Sequence, residues 1–431
     1  MMYDHIYCIP THREILPVFL DGFLSEVFYV NKKLRKSCPL IIFEDTDAEI
    51  NKEKIAELKK AYPQLIVHYI TRRQVVLVYD MISELLPKSC HNIFRRLYPN
   101  SNVNYGNVFN RIFLFAVLFG AKNIHRRDSD VLPDKRDDGK PIYPIEPEIC
   151  NLARVRQGKT VYIVGGGYKG KYNLDIDDLI KEGDYSLVRR LFSCMSIPKE
   201  HHDDIIQEEI LGNNLIFEKD VVEYNSRSYP ECGNISFYRI HEFFPSSTQD
   251  FILGSDYFFI ETIIHARQNL TYHNRAVIHQ HTPDRTACLE KIFNYWKGLM
   301  MLVDSQIYYR SLYEQYIDVA DDASLSDLKN ILSTIIHGMK EFFPLFKKDY
   351  VLERQDKKEQ LIKVLSESLN PVVRKVSNLL RNEIESVEQC TNQSIVEHIE
   401  LLENWRTIIK TAKKLSKTTK MQNILRATMI N

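Results

Sequence analysis

Up to Asp130 the chain alternates short apolar runs with longer stretches whose apolar residues recur at helical spacing. The pattern predicts strands over Asp4 to Pro10, Pro39 to Phe43 and Leu65 to Ile70, and a fourth strand running into Asp128. Between them it predicts helices over Leu16 to Lys33, Lys52 to Ala61, Val75 to Leu86 and Val108 to Phe119. The second run, Pro39-Leu-Ile-Ile-Phe43, is apolar throughout, as strands covered on both faces of a parallel sheet are. Strands spaced by single helices predict an α/β layer with a largely parallel sheet. From 140 to 285 the segments shorten, with turn signals at Gly165-Gly166-Gly167, Cys232-Gly233-Asn234 and Gly254, and predict mixed sheet and loops extending the same domain. The triple glycine reads as a flexible turn over a site, from which Lys169 and Lys171 could reach phosphate. Beyond Thr286 glycine is reduced to Gly298 and Gly338, and helical periodicity runs on with breaks near Asp321-Asp322, Pro344 and Pro371. The 431 residues exceed one ordinary core. Two domains are expected, 1–285 α/β and 286–431 all-α.

Composition removes several function classes. The 57 basic and 57 acidic residues balance, so no general affinity for nucleic acid follows from charge. No apolar stretch approaches the ~18 uncharged residues of a spanning helix. The N-terminus lacks the basic-then-apolar order of a signal peptide. The eight cysteines include no Cys-x-x-Cys pair and read as reduced thiols in a cytoplasmic protein, which makes the sequons at Asn234, Asn269 and Asn392 coincidental. Trp405 to Arg426 carries seven Lys or Arg and no acid, with Trp405, Ile408, Ile409, Ala412 and Leu415 at helical spacing. This is either a helix packing its apolar stripe on the domain or a basic amphipathic helix that touches anionic lipid or an acidic partner.

Candidate chemistry gathers where the predicted strands end, which is where parallel sheets bind ligands. Thr11-His12-Arg13, Glu44-Asp45-Thr46-Asp47 and Asp128-Ser129-Asp130 all fall there. Two carboxylates one residue apart suit a divalent cation that bridges a diphosphate. Thr11 and Arg13 can hold a base or phosphate, and Glu44 and Asp45 can accept from ribose hydroxyls or cap the following helix. Arg111, alone in an apolar helix, needs a phosphate or a carboxylate partner. Downstream, Asp256 in Leu253-Gly-Ser-Asp256 is a general base or a plain N-cap, with Glu261 as a second acid. His279 and His281, alternating in a predicted strand, share a face and can supply an imidazole to the cation.

This order of signals resembles the GT-A glycosyltransferases, over residues 3 to 285, and most nearly the inverting, family-two-like bacterial enzymes. It rests on a strand ending in Pro10-Thr11-His12-Arg13, an acidic pair Glu44-Asp45, Asn110-Arg111, Asp128-Ser129-Asp130, Gly254-Ser255-Asp256 and His279-Gln280-His281. The resemblance implies a GT-A mixed sheet flanked by helices. It implies that Asp128 and Asp130 hold Mn²⁺ or Mg²⁺ on the diphosphate of a nucleotide sugar, a UDP-sugar for preference, with His279 or His281 as third ligand. Thr11, Arg13, Glu44, Asp45 and Arg111 would then surround the nucleotide, and Asp256 would deprotonate an acceptor whose identity the sequence leaves open. Here Glu44-Asp45 stands where many members have two aspartates, and Ser255-Asp256 where a Glu-Asp pair is common. The competing readings are a phosphotransferase or phosphatase of the haloacid dehalogenase type and a non-catalytic nucleotide-sugar-binding protein. For the former, Leu132 stands where a Thr or Val is usual.

Overall fold

The computed structural model describes residues 2–430 except 47, 101–103, 173, 212–216, 218, 227, 251 and 281–287. Its centre is a sheet whose first half is parallel. Strands β1 (His5–Thr11), β2 (Leu40–Glu44), β3 (Val67–Thr71) and β4 (Asn123–Arg127) lie in the order β3-β2-β1-β4. The helices α1 (Pro17–Tyr29), α2 (Lys52–Lys59), α3 (Arg72–Leu85), α4 (His91–Arg95) and α5 (Tyr105–Leu118) connect them. Local signals set these elements. Every residue of β2 is buried, as its unbroken apolar run requires. Pro17 opens α1, where its missing N–H is no loss. Thr71 and Gln74 form a reciprocal capping box at the start of α3.

The second half of the sheet is mixed. Short strands β5 (Val131–Lys135), β6 (Pro141–Ile142) and β7 (Val155–Arg156), with α6 (Ile145–Asn151) between, lead to the long β8 (Lys159–Gly170). After α7 (Ser186–Cys194) and α8 (His202–Ile205) come β9 (Val222–Tyr224), β10 (Asn234–Tyr238), α9 (Phe258–His265) and β11 (Asn269–His279). β10 inserts antiparallel between β4 and β8, β8 runs parallel to β11, and β11 pairs antiparallel with β5. The sheet thus continues from β4 through β10, β8, β11 and β5 to β6. This is the expected α/β architecture, a mixed sheet flanked by helices with a helical C-terminal region.

Helices α10 (Leu289–Leu312), α11 (Leu328–Asp349), α12 (Val351–Ser366), α13 (Pro371–Arg381), α14 (Ile384–Leu415) and α15 (Thr419–Ala427) form that region. The long α14 lies across α3, α4 and α5, which is why α5 is buried on nearly every side. Trp405 of α14 is fully buried and its indole N–H donates to the His241 carbonyl at 2.9 Å. One apolar cluster joins residues of β1, α3, α5, β10, α9, α10, α11, α14 and α15. Ile408, Ile409, Ala412, Leu415, Met421 and Leu425 are all buried in it, so the apolar stripe of 405–426 is committed to packing. The stripe therefore packs on the protein, while Lys410, Lys413, Lys414, Lys417 and Lys420 stay exposed on the other side. Beyond α15 the chain covers the β3 edge: Tyr69 N–H donates to Thr428 O and Ile430 N–H to Val67 O, both at 2.9 Å.

Candidate metal and nucleotide site

Arg126 and Arg127 are neighbours in an extended strand and therefore point to opposite faces of the sheet. Arg126 stacks on Phe109 of α5, and Arg127 lies over Tyr7 of β1 on the side of α1. Asp128 follows directly. Its Oδ1 accepts from Arg126 Nη2 at 2.8 Å and its Oδ2 from the Tyr168 hydroxyl at 2.6 Å. Asp130 Oδ2 accepts from Arg13 Nη2 at 2.7 Å and lies 3.5 Å from His279 Nε2. The His279 ring stacks on Tyr168, with centroids 4.6 Å apart and planes at 17°. Main-chain bonds hold these pieces: Gln280 N–H donates to Asp130 O at 3.0 Å, and β8 and β11 pair up to Gly170 and His279.

Donor atoms of Asp128, Asp130 and His279 lie within 4.8 Å of one another. Two carboxylate oxygens and an imidazole nitrogen are a donor set that a hard or borderline divalent cation such as Mg²⁺ or Mn²⁺ accepts. His279 Nδ1 faces the Lys171 carbonyl at 3.4 Å, and its Nε2 faces Asp130. Burial works against a charge on this ring, but the hydrogen bond and charge of Asp130, with Asp128 behind it, carry its pKa upward. The residues fit a divalent cation chemically, and Arg13 and Arg126 already pair with the two carboxylates.

Asp256 is buried beside this group. Burial raises its pKa, and the Asp128 charge adds to that against the pull of Arg126. It is not an N-cap: α9 begins after Tyr257, with no side-chain cap, and Asp256 lies one residue earlier. Glu261 points elsewhere, into a small cavity with Ser255, Gln306 and Tyr309, where burial lifts its carboxyl to about 7.

Thr11 turns inward to its own loop, its hydroxyl donating to Arg13 O at 2.8 Å and accepting from Arg13 N–H at 3.2 Å. Glu44 is fully buried and its carboxylate accepts from Asn51, from Thr46 and from the Tyr69 hydroxyl. Asn51 in turn donates to Arg13 O and accepts from Ile15 N–H, so Glu44 acts on the Arg13 loop through Asn51 and does not cap α2. Arg111 finds its partner in Asp45, at 3.1 Å, and Asp45 N–H donates to Thr11 O at 2.8 Å. These contacts tie the ends of β1 and β2 to α5. His281 lies outside the described residues.

The triple glycine is not a turn. Gly165, Gly166 and Gly167 lie inside β8, where a Cβ on Gly166 would sit 2.7 Å from the His273 ring. Lys169 is ion-paired with Asp134, and Lys171 lies 3.0 Å from Asp177. Read as a turn, this segment hid Tyr168. Tyr168 depends in turn on Gly233, whose missing Cβ leaves room for the Tyr168 hydroxyl and the Asp128 carboxylate, with both of which a methyl would collide. Gly233→Ala is therefore expected to break the Tyr168–Asp128 bond and, where the trio holds Mn²⁺, to weaken that binding by roughly 10- to 100-fold, the usual penalty for disturbing the residues that orient a ligand. Isothermal titration calorimetry of the variant checks this; unchanged affinity would remove Tyr168 from the site.

Solved structures loosely similar to the chain include the following two. A mycobacterial protein shares 12% identity over 74% of this chain and 76% of its own, with a TM-score of 0.36. The mannosyltransferase PcManGT from Pyrobaculum calidifontis, solved with GDP-Man and Mn²⁺, shares 10% identity over 97% of this chain and 89% of its own, with a TM-score of 0.39. At such scores neither likeness bears on what this chain binds. No curated protein matches it. A family model does match, over residues 6–421, and the chain belongs to that family of unknown function, DUF6271.

Proposed function

We propose that this protein is a metal-dependent glycosyltransferase of GT-A type that moves a sugar from a nucleoside-diphosphate sugar to a hydroxyl of an acceptor, with inversion. The observation that carries the reading is the meeting of Asp128, Asp130 and His279 at the ends of β4 and β11, beside Arg13 after β1. Residues 1–285 are read as the part that binds and reacts, and 286–431 as a helical part packed on it. Among the described residues no helix is long and apolar enough to cross a membrane. All eight cysteines are unpaired, which accords with a cytoplasmic setting.

Asp128, Asp130 and His279 would hold Mn²⁺ or Mg²⁺, which when bound neutralises charge on the leaving diphosphate. Arg126 pairs with Asp128 at 2.8 Å and offsets its charge. Asp45 and Arg111, joined to Thr11, border the place for the nucleoside, and Arg13 faces the phosphates. Asp256, its pKa raised by burial, accepts the acceptor's hydroxyl proton. The acceptor oxygen forms its bond to the anomeric carbon as the bond from that carbon to the phosphate oxygen breaks, and the electron pair leaves with the diphosphate.

The test is a calorimetric screen of UDP- and GDP-sugars with and without Mn²⁺. Binding that requires the metal is expected. Binding indifferent to the metal, or none, overturns the reading. Asp256→Asn is expected to keep donor binding and lose roughly 10²- to 10⁴-fold in kcat, the range for a positioned general base. Full turnover in that variant would reassign the base.

A further inference from the structure

Asp130 Oδ2, the oxygen turned toward His279, is held by the Arg13 guanidinium at 2.7 Å. Asp128 is likewise paired with Arg126 at 2.8 Å. Two guanidinium charges therefore already offset the two carboxylates, and a divalent cation entering alone meets a neutralised site. The two arginines differ in exposure, although Arg13 Nε also reaches the Ser129 hydroxyl at 3.4 Å. Arg126 is wedged between the Phe109 ring and the Cys232 carbonyl, with a side chain only 6% exposed. The Arg13 side chain is 22% exposed and hangs from a fixed root, because Asn51 and Thr11 hold its backbone carbonyl and Thr11 its N–H.

Resting on the transferase reading above, we propose that Arg13 is an exchangeable counter-ion. Without ligand it covers Asp130 Oδ2. When cation and diphosphate arrive together, it yields that oxygen to the cation and moves onto the diphosphate, whose oxygens match its planar fork of donors. Arg126 stays in place as the permanent partner of Asp128. The cation and the diphosphate then bind with positive coupling, each tightening the other by the same factor. Arg13 thereby selects a ligand that brings both charges, and disfavours the bare metal.

Equilibrium dialysis of Mn²⁺ against the full chain, alone and with UDP or GDP at fixed concentration, corrected for the metal–nucleotide complex in solution, tests this. The wild type is expected to bind Mn²⁺ roughly tenfold or more tightly with nucleotide than without, within the usual span of coupling between sites. Arg13→Met is expected to bind Mn²⁺ alone more tightly than the wild type and to lose most of the enhancement. Arg13→Lys, which keeps the charge and loses the fork, is expected to fall between the two. A wild type that binds Mn²⁺ under neither condition overturns the metal reading and the exchange with it. Nucleotide-dependent Mn²⁺ binding that Arg13→Met leaves unchanged, or weaker binding of Mn²⁺ alone in Arg13→Met, overturns the exchange and spares the reading.

Discussion

On the proposed transferase reading, Asp130→Asn is expected to lower kcat/KM for sugar transfer by roughly a thousandfold or more at saturating Mn²⁺, while the protein melts within a few degrees of the wild type. The catalytic loss follows from removing one of the two carboxylates that would hold the cation, since a bound cation supplies several kcal/mol of charge stabilisation. The intact fold follows from the other partner. Arg13 is partly open to water, so losing its carboxylate leaves no buried charge stranded. Asp128→Asn differs in the second respect. It takes the carboxylate from Arg126, which is 5% exposed and has Cys232 O as its other partner. A loss of about 1–3 kcal/mol is expected there in addition, as for a buried charged donor left short of its acceptor. Paired kinetics and thermal melts of the two variants separate these effects. Near-normal turnover in Asp130→Asn would remove it from the chemistry.

The residues of the candidate site were legible in the sequence because the rule that parallel strands present ligand sites at their carboxyl ends depends on topology alone. Thr11, Asp45, Asp128 and His279 each follow or close a strand, and their sequence distances do not matter once the strands align. What each side chain touches was less legible. Arg126 and Arg127 are adjacent cations at a buried strand end, and the alternation of a strand puts them on opposite faces with separate partners. Glu44 looked like a ligand-facing acid, and only the fold shows Asn51 reaching back to it from the start of α2. Asp256 stood where an N-cap could, but α9 starts one residue too late for that role. Tyr168 was hidden by its glycines, because small residues mark a close approach inside a strand as well as a turn. The helical spacing of 405–415 was plain, but which surface covers that stripe depends on how α14 crosses α5, a long-range contact no local pattern carries.

Arg127 supports the largest expected effect on stability. Its Nη2 donates to Glu26 Oε1 at 3.0 Å, and its Nη1 lies 2.8 Å from Glu148 Oε1. All three side chains are out of reach of water. Glu26 also accepts from the Tyr7 hydroxyl at 2.6 Å, and Glu148 from His125 at 2.7 Å. Arg127→Met keeps the volume and removes the guanidinium that lies between two buried carboxylates. A loss of about 3–5 kcal/mol at pH 7.5 is expected, the cost of leaving buried charge uncompensated. The pH dependence gives the result a second, independent sign. In the wild type burial pushes the Glu148 pKa up, but Arg127 and the hydrogen bonds of His125 and His273 outweigh it and hold the group well below the ordinary carboxylate range. A depressed carboxyl adds stability above its unfolded pKa, near 4.5, and loses that stability as pH falls below it. Burial and its charged neighbours push His5 down to about 3, and burial pushes His273 down as well. Neutral imidazoles of this kind stabilise above their unfolded value of about 6.5 and lose that contribution as pH falls through it. These groups therefore support the wild type above neutrality and withdraw that support as pH falls. Without Arg127, burial dominates at Glu148 and favours its protonated form, so acid relieves the variant where it harms the wild type. The stability difference should shrink between pH 7.5 and pH 5. Urea unfolding of both proteins at the two pH values reads this directly. A difference below about 1 kcal/mol at pH 7.5, the size of an ordinary surface pair, or one that grows in acid, would mean that the ion cluster does not hold the face of β4 opposite the candidate site.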